Sequence, residues 1–186
     1  MVREITFVTG NANKLREVQQ ILNASGDAQW TLTSRELDVS EVQGTTQQVA
    51  LAKCRSAALQ LQGPCLTEDT ALLFHGMRGL PGPYIKDFLK GLGLHGLNKM
   101  LQGFEDKSAT ALCTFAFSHG PGHEPVLFEG ATQGTIVPPR GETQFGWDPI
   151  FEAAESGKTF AEMDGAEKNA VCCHVAHYRF RTAPAR

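Results

Sequence analysis

At the start of the chain the apolar positions change period. Ile5, Phe7 and Val8 form a β-rich run that ends at Thr9-Gly10, and Leu15, Val18 and Leu22 then recur at helical spacing. The pattern predicts strand, tight turn and helix, with Asn11 or Asn13 as the cap. A weaker strand is expected over Trp30 to Thr33. A second amphipathic helix is predicted from about Thr46 to Gln62, with Val49, Ala52, Ser56 and Leu59 on one face. Gly63-Pro64 stops it, and Cys65-Leu66-Thr67 begins a strand that places Glu68-Asp69 at its end.

Further along, Gly79-Leu80-Pro81-Gly82-Pro83 reads as a rigid loop and Tyr84 to Lys90 as a short helix. Leu94, Leu97, Met100 and Leu101 suggest one more helix. Thr110 to Ser118 and Val126 to Val137 are predicted as long antiparallel strands joined by the turn His119-Gly120-Pro121-Gly122. The loop Pro138-Pro139-Arg140-Gly141 precedes Phe145-Gly146-Trp147-Asp148, and a final helix starts near Asp164 or Gly165. Alternating elements followed by a hairpin imply an α/β fold with a mixed β-sheet. With 186 residues, no repeats and no low-complexity linker, the expectation is one domain over residues 1–186.

Composition narrows the class of partner. A content of 41% hydrophobic and 20% charged residues is that of a soluble globular protein, not of a disordered chain or a coiled coil. The net charge of −3 argues against broad nucleic-acid or membrane-surface binding, so a polyanionic ligand must be met by locally placed cations. No apolar run approaches the roughly 18 residues of a membrane span, and Met1-Val2-Arg3-Glu4 does not open a signal peptide. Cys54, Cys65, Cys113, Cys172 and Cys173 are odd in number and lack C-x-x-C spacing, which points to reduced thiols and a cytoplasmic setting. Cys172-Cys173 with His174 and His177 is a conceivable zinc site, but no matching metal knuckle stands elsewhere.

Four groups carry candidate chemistry. Thr9-Gly10-Asn11-Ala12-Asn13-Lys14 lies between a strand and a helix, where backbone N–H groups favour an anion and Lys14 adds a full positive charge. It lacks the Walker pattern, and it also reads as an ordinary turn with Gly10 at positive φ. Glu41, Glu68 and Asp69 are carboxylates from separate loops, as magnesium needs when it keeps waters and shares phosphate oxygens; each alone also reads as a solvated loop acid. Lys53, Lys86 and Lys168 read singly as surface charges, and together as partners of a triphosphate. Phe145-Gly146-Trp147-Asp148 offers aromatics to stack on a base and an acid to accept from its N–H groups, or else a core turn.

In order and in register, these segments resemble the inosine triphosphate pyrophosphatase family, and its eukaryotic branch most. The matching residues are Thr9 to Lys14, Glu41-Val-Gln-Gly44, Lys53-Cys54, Glu68-Asp-Thr70 and Gly79 to Lys86. Gly103 to Lys107, Ala111 to Phe115, Phe145 to Pro149, Phe160 to Met163 and Lys168 to Val171 complete the set. The resemblance implies an elongated, twisted mixed sheet with flanking helices forming two lobes around a central cleft, and a homodimer. It implies hydrolysis of deaminated purine nucleoside triphosphates (ITP, dITP, XTP) to monophosphate and pyrophosphate, cleansing the nucleotide pool.

By the same resemblance, Thr9, Gly10, Asn11, Ala12, Asn13, Lys14, Lys53 and Lys86 hold the phosphates. Glu41 and Asp69 bind magnesium, with manganese as a substitute. Asp69, Glu68 and Lys53 serve the reaction, and Phe145, Gly146, Trp147, Asp148 and Lys168 contact the nucleoside. The family's Ser-His-Arg base reader is replaced here by Cys172-Cys173-His174-Val175-Ala176-His177-Tyr178-Arg179. Arg179 is favoured as the reader over His177 and His174. The resemblance also implies a C-terminal helix, most of which this sequence lacks.

Overall fold

β1 (Arg3–Val8) has a parallel neighbour on each side. It pairs along its length with β2 (Trp30–Arg35), and with the start of β3 (Cys65–Phe74), Thr6 opposite Cys65 and Val8 opposite Thr67. The full order is β2-β1-β3-β5-β6-β7, with β5 at Ser108–Ser118, β6 at Val126–Ile136 and β7 at Phe151–Ala153. β4 (Pro81–Gly82) pairs antiparallel with β3, and β7 pairs antiparallel with β6, so the seven-stranded sheet is mixed, as expected. These coordinates are a computed structural model describing residues 3–12, 14–16, 18–19, 30–142 and 146–171. Among them no helix is long and apolar enough to cross a membrane.

Two compact units divide the chain. The first gathers described residues of 3–69 and 114–130, the second those of 70–113 and 131–171. In the first, the helix Thr46–Leu61 starts in a capping box: Thr45 Oγ1 accepts from Gln48 N–H (3.2 Å) while Gln48 Oε1 accepts from Thr45 N–H (2.9 Å). It ends at Gln62, in the left-handed region with φ 53°, ahead of Gly63-Pro64. Its buried face is Val49, Ala50, Cys54, Ala57 and Ala58, so of the expected row only Val49 is buried, and Leu59 is 59% exposed. Small side chains have little hydrophobic contrast along the sequence. They are selected by close packing against Val8, Cys65 and Ala116, with Leu37, Val39, Leu61 and Leu127 at the margin. Cys54, Cys65 and Cys113 are buried thiols, in line with the reduced state expected.

The larger correction concerns Glu68 and Asp69. They lie in the middle of β3, which runs on through buried Ala71, Leu72 and Phe74. Pairing explains this: β1 ends opposite Thr67, and β3 continues because Leu72 and Leu73 find β4. The acids therefore stand just past the carboxyl end of β1. In the second unit, Pro81–Gly82 of the expected loop forms β4. Gly93 (φ 67°, ψ 179°) breaks the Ile85–Met100 helix into the two pieces anticipated. β7 and the short 3₁₀ turns His75–Met77, Asp148–Ile150 and Phe160–Glu162 were not legible in the pattern. The last helix, Gly165–Val171, begins where expected, with Asp164 Oδ1 accepting from Ala166 and Glu167 N–H (both 2.8 Å).

Candidate active site

In the first unit the strand-to-helix turn is built by its own side chains. Thr9 N–H donates to Arg35 C=O (3.1 Å), and Thr9 Oγ1 accepts from Asn11 N–H (3.0 Å). Asn11 caps the helix: its Oδ1 accepts from Lys14 N–H (3.3 Å) and its carbonyl from Leu15 N–H (3.1 Å). Asn13 lies outside the described residues. Gly10 does not have the positive φ expected; a Cβ there would sit 2.5 Å from Glu36 Oε1, so a neighbouring side chain fills the space instead. Gly10, Asn11 and Ala12 are exposed.

Lys14 reaches back to β3, where its Nζ is 2.5 Å from Glu68 Oε2. Lys53, from the Thr46–Leu61 helix, donates to Asp69 Oδ1 (3.2 Å) and to the Glu68 carbonyl (3.1 Å). Two adjacent carboxylates thus face two ammonium groups. They differ in access: the Glu68 side chain is 1% exposed and Asp69 20%. Burial holds the Asp69 carboxyl above the usual aspartate range, against the pull of Lys53 and with a further push from the Glu68 charge. Asp69 is therefore the accessible acid with raised basicity, and Glu68 the enclosed counter-ion of Lys14. Glu41 is exposed on the loop before the Thr46–Leu61 helix, in the same unit. Among the described residues, no three His, Cys, Asp or Glu side chains converge as a metal cage.

The second unit holds another pair. Lys168 donates to Asp148 Oδ2 at 2.7 Å, with side chains 13% and 6% exposed. Asp148 opens the 3₁₀ turn Asp148–Ile150, and Lys168 lies on the Gly165–Val171 helix with its Nζ 5.7 Å from the Phe160 ring centre. Trp147 packs edge-on to Phe151 (5.7 Å) and tilted against Phe160 (6.1 Å). It takes the core position that the sequence left open beside stacking. Phe151 and Phe160 were given no role in the sequence, because their contribution arises only when the two 3₁₀ turns pack. Gly146 is exposed at φ 47°, and Lys86 is exposed on the first turn of the Ile85–Met100 helix. Phe145, Cys172, Cys173, His174, His177 and Arg179 lie outside the described residues.

A mixed seven-stranded sheet with flanking helices defines the class as α/β, and lysine–carboxylate pairs stand beside its first strand-to-helix turn. The chain belongs to the Ham1 family, which it matches over residues 5–176. It is 61% identical over 165 residues to the inosine triphosphate pyrophosphatase of Mycosarcoma maydis, covering 89% of this chain and 86% of that protein. The protein of the same name from Puccinia graminis f. sp. tritici is 60% identical over 172 residues, covering 90% and 89%. A solved HAM1 protein from Coxiella burnetii superposes with a TM-score of 0.83 at 28% identity, covering 94% of this chain and 93% of that one.

Proposed function

We propose that this chain hydrolyses inosine, deoxyinosine and xanthosine triphosphates to the nucleoside monophosphate and pyrophosphate. The observation that carries the reading is the quartet of Lys14, Glu68, Lys53 and Asp69 beside the Thr9 turn, in a chain 61% identical to a protein named for that activity. Water attacks the α-phosphorus and Asp69 takes its proton. The bond to the bridging oxygen breaks, and pyrophosphate leaves with the electron pair. A base raised towards the operating pH suits this step. Lys14 and Lys53 offset charge on the leaving group.

The residues fit magnesium. Asp69 is accessible, and the burial that penalises its charge is what a cation offsets. Glu41 supplies an exposed carboxylate in the same unit, and a hard cation takes such oxygens together with waters and phosphates. Glu41 and Asp69 would hold it, with manganese as a substitute, and when bound it supplies charge neutralisation along the phosphate chain.

For the base, Lys168 donates towards an oxygen at position 6, where adenine carries a donor, and Asp148 accepts from ring N–H. A buried donor left facing a donor is the kind of mismatch that separates substrates. The same reading includes a homodimer working in the cytoplasm on a small-molecule nucleotide, without nucleic acid; sedimentation at micromolar concentration checks the dimer.

The test is incubation with ITP, XTP, dITP, ATP and GTP, with and without magnesium, identifying both products. Monophosphate plus pyrophosphate from ITP in preference to ATP supports the proposal. Release of orthophosphate, or equal use of ATP, overturns it. The substituted Cys172 to Arg179 stretch favours a second reading, a related pyrophosphatase for other modified or ordinary triphosphates, which the same panel separates.

A further inference from the structure

Arg140 stands where the two segments bearing Asp148 and Lys168 are tied together. Its backbone N–H donates to the Pro149 carbonyl (3.0 Å), inside the turn that Asp148 opens. Its carbonyl accepts from Thr159 Oγ1 (3.1 Å), at the head of the Phe160–Glu162 turn. Its guanidinium donates to Glu152 Oε2 (2.6 Å) on β7 and to the Gly157 carbonyl (3.4 Å), and lies 3.3 Å from Glu162 Oε2. Glu152 is in the strand that follows the Asp148 turn. From Glu162 the chain passes directly through Asp164, the cap, into the helix of Lys168.

The approach depends on the residue that follows Arg140. Gly141 has φ 80°, and a Cβ there would meet the Ala161 carbonyl carbon at 2.7 Å, so only glycine lets the Arg140 loop lie against the Phe160–Glu162 turn. A planar guanidinium can serve carboxylates on two elements at once, whereas a lysine ammonium is a point charge. Without it, Glu152 and Glu162 would be left as like charges around one position.

We propose that Arg140 is a positioning residue for base recognition: it holds the Asp148 turn and the Lys168 helix at the separation their ion pair needs. This rests on the reading above that Asp148 and Lys168 contact the base. Because Arg140 is 41% exposed, its loss moves overall stability little and acts on geometry instead.

Steady-state kinetics on ITP and ATP test it, with Arg140→Ala, Arg140→Lys, Arg140→Ala combined with Glu162→Gln, and Asp148→Asn. Arg140→Ala is expected to raise KM for ITP about three- to tenfold, the scale of coupled neighbours, with kcat within about twofold. The ITP-over-ATP preference falls with it. Glu162→Gln keeps the cap to Thr159 N–H and removes one of the opposed charges, so the double variant recovers part of the loss, and Arg140→Lys recovers less. If Asp148→Asn lowers the preference and Arg140→Ala does not, the inference fails while the base-contact reading stands. If neither moves it, the base-contact reading falls and takes the inference with it. A drop in kcat at unchanged KM also overturns the inference.

Discussion

Both units enclose lysine–carboxylate pairs, but they use them differently. In the first unit two neighbouring carboxylates on β3 share two lysines from different elements, and burial plus a like charge leave Asp69 harder to ionise than usual. In the second, the Asp148 carboxylate meets the Lys168 ammonium at 2.7 Å beside the Trp147, Phe151 and Phe160 rings. The first arrangement is frustrated, and a group in it is poised to exchange a proton. The second is a close ion pair that, on the proposed function, presents a donor and an acceptor. On the proposed function, the same residue types serve reaction in one place and recognition in the other.

The contrast breaks most sharply at Asp69. Asp69→Asn is expected to lower kcat by about 10²-fold or more, the scale of a lost general base. The same change is expected to raise stability at neutral pH. Between the ordinary aspartate value and the raised one, the folded chain holds a proton that the unfolded chain has released, so stability falls as pH rises through that window. Melting curves should place the variant above wild type at pH 7, and the gap should close as the pH falls below the ordinary aspartate range. Turnover near wild type, or a variant less stable at pH 7, would contradict the assignment.

Glu68→Gln is the next largest. It removes the carboxylate that Lys14, only 19% exposed, meets at 2.5 Å, and breaking such a pair costs about 3–5 kcal/mol, measurable by urea unfolding. The Glu68 charge helps to raise Asp69, so its removal should also shift the acid limb of kcat/KM to lower pH. An unmoved limb would mean that Asp69 is not the titrating base.

In the second unit, Asp148→Asn should leave the acid limb in place and lower the ITP-over-ATP ratio by about tenfold or more. Equal loss on both substrates would erase the distinction drawn between the units. The smallest effect is Thr45→Ala, which removes the cap of the helix carrying Lys53 and should cost about 1 kcal/mol by thermal unfolding.

How much of this was legible depended on how local each cause was. The Thr9 turn, the Asn11 cap and the start of the Gly165–Val171 helix were readable, because each is made by residues a few positions apart. The length of β3 was not: two acids in succession look like a strand end, and only pairing of Leu72 and Leu73 with β4 carries the strand onward. Trp147 was readable as either a core or a stacking aromatic, and its neighbours Phe151 and Phe160, which arrive from other elements, decide for the core.

By itself, the order of residues determined the mixed α/β layout, the kinship and the groups proposed to meet a triphosphate, because periodicity, turns and motif spacing are written along the chain. Tertiary structure alone decided which helix face is buried, which carboxylate each lysine holds and which acid stays accessible. Those outcomes depend on burial and on charges brought together from distant positions, where a few ångströms set the sign of the energy.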